Sequence, residues 1–272
     1  VWAVANHGKV VRSEDRGNTW VVQKTPTIEH MQSISAWDDQ RAVVVGNAGI
    51  TLVTSDGGKN WKETTSPKHE VANKLLNVRA YSGGEAWAVG EFGAVLHSKD
   101  YGMTWERARE AEDIGINDIF FIGDKGWMVC EFAAIFYTED DGKTWEKAET
   151  DMMEETTLLS VAFRDELNGI VVGLMGTVLI TNDGGKTWTA KEPPTIEHLL
   201  DVIWDRENSA WIAVGDNGIM YKGNSTGSTW NGGRMDDMVL SWYAECQKLG
   251  DRLYVLGSTF GYYENRKLTL FN

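Results

Sequence analysis

Histidine and carboxylate chemistry is the first thing the sequence offers. Four of the five histidines, His7, His30, His69 and His198, fall in short polar segments between apolar runs. Two of them close the same phrase, Pro-Thr-Ile-Glu-His, at 26–30 and again at 194–198. Histidine beside glutamate suits zinc, but zinc ligands must converge on one point, and four repeats separate these two phrases. The expected role of Thr-Ile-Glu-His is to fix a loop as it enters the strand that follows, with no metal and no cofactor.

A second carboxylate set recurs in the pattern Ser/Thr-x-Asp-x-Gly-x-Thr-Trp. It supplies Asp15 with Trp20, Asp56 with Trp61, Asp100 with Trp105, Asp140 with Trp145 and Asp183 with Trp188; a worn copy ends at Trp230. Calcium would need several spaced oxygen ligands, and most copies offer one Asp. Each residue has a structural duty instead. The carboxylate can accept hydrogen bonds from the N–H groups of its own turn. Glycine can take the left-handed conformation of the turn, and the indole can bury against a sheet.

A third set is small and polar: Ser33, Asn77, Asp118, Ser160, Asp201 and Ser241, each followed by an apolar residue, Ile34, Val78, Ile119, Val161, Val202 and Trp242. Packing with local hydrogen bonds is the expected role. An axial ligand or water site with Asp118 and Asp201 as acidic members is the alternative. No Ser-His-Asp or Cys-His order stands out. A sialidase would need an arginine cluster, a Tyr nucleophile with its Glu and an Asp acid/base. Only Arg79 lies plausibly on a first strand, so no catalytic residue is assigned.

The elements that must position these residues follow from the period. The repeated Trp falls at 20, 61, 105, 145, 188 and 230, a spacing of about 40–45 residues in short Val/Ile/Ala/Trp runs punctuated by Gly and Asp. Reading from Leu199, "LLDVIW", "SAWIAVG" and "GIMYKGN" are three strands, and Trp230 starts a fourth. Four antiparallel strands make a propeller blade. Second strands are predicted at Val1–Asn6, Arg41–Gly46, Glu85–Gly90, Gly126–Cys130, Asn168–Gly173, Ser209–Gly215 and Arg252–Gly257. The chain is therefore expected to be all-β, a single seven-bladed propeller over 1–272. The first blade lacks its first strand, which either residues before Val1 or the C-terminal strand would supply. The opening "VWAVANHG", in strand pattern without Met, suggests a processed or trimmed start.

The chain has 272 residues and a net charge of -14. That charge disfavours nucleic acid and suits a basic partner. No run is long and apolar enough to span a membrane as a helix. Cys130 and Cys246 have no metal-ligand spacing, and a disulfide between them is not expected.

The repeated turn resembles the Asp-box of sialidases, two-propeller xyloglucanases and sortilin-type receptors. The longer units "GEAWAVGEFGAVLHSKDYGMTW" (84–105) and "LNGIVVGLMGTVLITNDGGKTW" (167–188) are more specific. They resemble the photosystem II assembly/stability factor family of seven-bladed Asp-box propellers, over about blades 1 to 6. The resemblance implies a non-catalytic, protein-binding accessory or assembly subunit. It would be periplasmic or thylakoid-lumenal and would dock on an exported or membrane protein complex. That family docks through a basic arginine patch, whereas the 11 Arg of this chain are scattered.

The expected docking surface is built from the turns between second and third strands and the links between blades. Turn tips usually take Gly, Asn or Asp; Phe92, Phe132, Met175 and Phe260 break that rule and mark a contact surface. Glu29, His30, Glu91, Glu131, Glu197, His198 and Asp216 rim it. Acidic links, "AREAED" (108–113), "ETDMMEE" (149–155) and "RMDD" (234–237), lie on the same side. The partner would present a basic or apolar surface. The alternative is a glycan-binding or glycoside-hydrolysing propeller, with a pair such as Glu91 and Glu131 as its carboxylates.

Overall fold

The computed structural model describes residues 1–152 and 156–271; the Met153–Glu155 part of the second acidic link lies outside them. Seven antiparallel sheets follow one another along the chain, giving an all-β, seven-bladed propeller. The observed second strands, Trp2–Ala5, Ala42–Gly46, Ala86–Gly90, Lys125–Cys130, Gly169–Gly173, Ala210–Gly215 and Arg252–Gly257, match expectation to within about a residue at each end. In each four-stranded blade the second strand is flanked by the first and the third. This is why Ala42–Gly46, Ala86–Gly90 and Gly169–Gly173 are buried throughout and read as continuous apolar runs.

Two sheets depart from four strands. Blade 1 has three, Trp2–Ala5, Lys9–Arg12 and Val21–Gln23. The C-terminal strand, Lys267–Leu270, pairs with Phe260–Glu264 and completes blade 7, so it does not supply the missing strand of blade 1. Blade 5 gains a fifth strand, Glu149–Thr150, which runs parallel to Thr187–Ala190.

The chain divides into two compact units, 1–119 and 120–272. In the first, the core between blades 2 and 3 joins Val43, Val45 and Val53 to Leu75, Val78, Ala88 and Trp105. In the second, the core between blades 4 and 5 joins Trp127 and Val129 to Leu158, Phe163, Val171 and Trp188. Neighbouring blades are also locked by indole hydrogen bonds: Trp37 Nε1 donates to the Glu85 carbonyl (2.8 Å), and Trp127 Nε1 to the Gly184 carbonyl (2.7 Å). Gly185 leaves room for that ring, because a Cβ there would collide with the Trp127 indole.

The repeated turn closes on itself. Asp140 Oδ1 accepts from the Thr144 N–H (2.9 Å) and the Thr138 hydroxyl (2.8 Å), and Asp140 Oδ2 from the Thr144 hydroxyl (2.7 Å). These bonds hold its carboxyl down to about 2, the Thr144 N–H first among them. Thr19 and Ser13 hold Asp15 at about 2 in the same way. Asp56, Asp100 and Asp183 make equivalent bonds. In the worn copy, Asn224 Oδ1 accepts from the Ser228 N–H (3.0 Å). Trp230 Nε1 there donates to the Gly227 carbonyl (2.9 Å), as Trp188 Nε1 does to Gly185 (3.0 Å).

Candidate functional site

In a blade of four antiparallel strands, the turn between second and third strands lies at the same end as the links to neighbouring blades. Here each turn is clamped by those links. On one side the first turn N–H donates to the incoming link: Asn47 to the His30 carbonyl, Glu91 to Lys74, Leu174 to Thr157, Asp216 to His198 and Ser258 to Trp242 (2.9–3.1 Å). On the other side a later N–H reaches the outgoing link: Gly8 to Glu29 (2.8 Å), Gly93 to Ile114 (2.7 Å), Ala133 to Thr156 (2.7 Å) and Gly218 to Ser241 (2.5 Å).

The residue at each tip is thereby forced into the left-handed region. His7, Ala48, Phe92, Phe132, Met175 and Asn217 have φ between 53° and 60°. Asn tolerates this; for Phe and Met it costs of the order of 1–2 kcal/mol. Such strain persists only where surrounding bonds fix it, and it concentrates at functional positions.

The two Thr-Ile-Glu-His links share one construction. The Thr27 and Thr195 hydroxyls accept from the Glu29 and Glu197 N–H groups (both 3.1 Å). Their carbonyls sit where a Cβ of Gly8 or Gly176 would be, so the phrase fixes the link against the preceding turn. The histidines brace tips. His198 Nδ1 accepts from the Met175 N–H (2.9 Å), the His30 and His7 rings lie 5.1 Å apart, and His69 stacks on Phe92 at 4.9 Å. His30 belongs to the first unit and His198 to the second. Among the described residues no three His, Cys, Asp or Glu side chains are arranged to hold a metal. Cys130 and Cys246 are buried free thiols.

The expected contact residues separate into two kinds. Phe132 and Met175 stand clear of the surface, 59% and 69% exposed, and Glu131 is exposed beside Phe132. Phe92, Glu91, Glu29, His30, Glu197, His198 and Asp216 are half-buried in the loops. Phe260 is not a turn tip. It begins the third strand of blade 7, because Ser258-Thr259 makes the turn before it, and its ring packs edge-on against Phe271 at 4.7 Å.

The first strands also hold a correction. In blades 2, 3, 5, 6 and 7 a β-bulge follows the residue facing the end of the second strand. The paired sets are Met31/Ser33, Leu75/Asn77, Leu158/Ser160, Leu199/Asp201 and Tyr243/Glu245. The blade 7 members of the polar and apolar sets are therefore Glu245 and Cys246. Ser241 and Trp242 lie four residues earlier, in the link.

The polar set forms hydrogen bonds from blade to blade. Ser33 Oγ donates to Asn77 Oδ1 (3.4 Å), and Asn77 Nδ2 to Asp118 Oδ1 (2.9 Å). Arg79 grips Asp118 bidentately, Nε–Oδ1 3.0 Å and Nη2–Oδ2 2.7 Å. Farther along, Ser160 Oγ donates to Asp201 Oδ1 (2.8 Å), and the Cys246 N–H to Asp201 Oδ2 (2.8 Å). Arg79 is thus engaged in holding Asp118. Tyr137 donates to Glu146 Oε2 (2.6 Å), which pushes its hydroxyl up to about 12, the opposite of what a nucleophile needs.

Six residues of the second unit are large, apolar and exposed on these turns and links: Phe132, Met175, Ile196, Met238, Leu240 and Trp242. The first unit has two on its links, Ile28 and Val71. Ile196 and Ile28 were legible as the repeated Ile of Thr-Ile-Glu-His. Met238 and Leu240 carried no periodic signal, and Trp242 was hidden by its misassignment to a strand.

Parts of the chain are similar to known proteins. Residues 12–113 match the family model described as "Photosynthesis system II assembly factor YCF48". The chain is 29% identical over 124 residues to the photosystem II assembly lipoprotein Ycf48 of Picosynechococcus, covering 40% of this chain and 36% of that protein. It is 31% identical over 72 residues to the chloroplastic photosystem II stability/assembly factor HCF136 of Oryza sativa subsp. japonica, covering 26% and 17%. The matches thus span about a third or less of those relatives. A solved structure of YCF48 bound to D1 peptide superposes with a TM-score of 0.74 at 20% identity, covering 94% of this chain and 86% of that one. An ancestral GH74 enzyme superposes at 0.63 with 15% identity, covering 100% and 39%, and shares the fold alone. The chain is a seven-bladed β-propeller that is similar to Ycf48 and HCF136 over part of its length, as its repeats suggested.

Proposed function

We propose that this chain is a single-domain, non-catalytic propeller that binds protein and acts as an accessory or assembly subunit of an exported or membrane protein complex. Its docking surface is the end of the blades carrying the clamped turns and links. One observation carries this reading: strained tips held rigidly in place present Phe132 and Met175 to solvent. A monomer gains nothing from exposed, strained aromatic and thioether side chains, whereas an interface does. The D1 peptide seen with a fold relative supports a peptide or protein ligand. The relatives' names as lipoprotein and chloroplastic factor support a periplasmic or lumenal location.

The test is affinity capture from detergent-solubilised membranes of the source cell, comparing wild type with Phe132→Ser/Met175→Ser. Both side chains are exposed, so the variant is expected to keep the wild-type Tm and lose a membrane complex that wild type retains. Retention of that complex by the variant, or turnover of a glycoside in a parallel screen, overturns the reading.

A further inference from the structure

The exposed apolar side chains of the second unit lie on one unbroken run of loops. Ala133 bonds to Thr156, Leu174 to Thr157, Met175 to His198, Asp216 to His198, Gly218 to Ser241 and Ser258 to Trp242. Each bond ties a turn to a link, so the loops from blade 4 to blade 7 form a continuous strip. Along it stand Phe132, Met175, Ile196, Met238, Leu240 and Trp242, with Ile196 85% and Met238 89% exposed.

The same strip is acidic. Glu197 and Asp216 alternate with the apolar tips, and Asp236 and Asp237 precede Met238. Among the described residues none of these four carboxylates is in an ion pair within the chain. The surrounding charge reinforces them: residues 120–272 hold 13 Lys and Arg against 24 Asp and Glu, while residues 1–119 hold 13 against 16.

We infer that this strip, on blades 4 to 7, binds an extended polypeptide segment in which large apolar side chains are interspersed with Lys or Arg. The inference rests on the protein-binding reading and gives it a place and a ligand chemistry. Apolar side chains of the segment cover the exposed residues and supply affinity. Its cations meet carboxylates that are in no ion pair within the chain, and the field of the second unit speeds encounter. A neutral or acidic segment would leave those carboxylates to be desolvated without compensation.

Three fluorescently labelled twelve-residue peptides, alternating Lys/Leu, Glu/Leu and Lys/Ser, test this by anisotropy against the full chain at low and high salt. The Lys/Leu peptide is expected to bind at least tenfold more tightly than either other peptide, and to weaken with salt. Met238→Ser/Leu240→Ser and Asp216→Asn/Asp237→Asn should each weaken it about tenfold, whereas Ile28→Ser/Val71→Ser in the first unit should not. Equal binding of Glu/Leu, equal effects of first-unit and strip variants, or no binding of Lys/Leu each overturns the inference. Capture of a membrane complex that persists in any of these cases leaves the docking reading standing, so the two can fail separately.

Discussion

The first and second units build their loops alike and present different surfaces. In both, turn N–H groups donate to the links on either side, and the tips are left-handed. In the first unit the one large apolar tip, Phe92, is half-buried with His69 stacked on it, while the exposed tips are His7, beside His30, and the small Ala48. In the second, His198 holds Met175 from beneath through its backbone, and the side chain is left in solvent. The charge differs in the same sense, near balance in the first unit and strongly acidic in the second. One scaffold therefore tolerates either outcome, and side-chain choice at tip and link decides which stretch can dock a partner.

The same contrast runs through the buried polar residues. Asp118, 1% exposed, is held by a bidentate Arg79, while Asp201 is held by the Ser160 hydroxyl and two backbone N–H groups. Asp118→Ala strips a buried charge from Arg79 and should cost about 3–5 kcal/mol in urea denaturation. Asp201→Ala should cost less, about 2 kcal/mol. Equal losses would mean the arginine adds nothing and would break this part of the contrast.

Gly176→Ala and Gly8→Ala form a matched pair. Each places a Cβ on the carbonyl of the Thr in a Thr-Ile-Glu-His link, at φ of +70° and +67°. Each should destabilise the chain by about 1–3 kcal/mol. Only Gly176→Ala, which displaces Met175 and Ile196, should also weaken peptide binding. A binding loss from Gly8→Ala would show that the first unit shares the site.

Phe132→Asn should leave stability unchanged or slightly raised, since Asn accepts left-handed backbone more readily than Phe. Thermal unfolding reads this, and a clear fall in Tm would mean the ring is packed after all.

The smallest effect is common to both units. Asp15 and Asp140 are held at about 2 by their turns. A depressed carboxyl contributes stability that is complete above its unfolded pKa, near 4, and that is lost as pH falls toward about 2. Acid titration followed by Trp fluorescence should therefore show weakening only below about pH 4, with Asp15→Asn and Asp140→Asn flattening it equally. An unequal response would make even the shared turn part of the difference between units.

The Trp period, the apolar second strands and the Gly/Asp punctuation specify blades locally, since each strand and turn depends on residues close in sequence. That is why seven sheets and their second strands could be read to within about a residue. The tips Phe132 and Met175 were legible because a bulky residue replaced a turn former. Three things were not. Phe260 reads like a tip but enters its strand one turn later. Ser241 and Trp242 look like first-strand residues because no gapless repeat alignment reveals a link four residues longer. The joining of Ile196 with Met238, Leu240 and Trp242 into one exposed strip could not be seen because exposure is a property of what neighbouring loops leave uncovered. The sequence by itself determined the blades, through periodic burial and local turn chemistry. Which apolar side chains stay in water, and beside which unpaired carboxylates, was decided only when links and turns distant in sequence closed their hydrogen bonds.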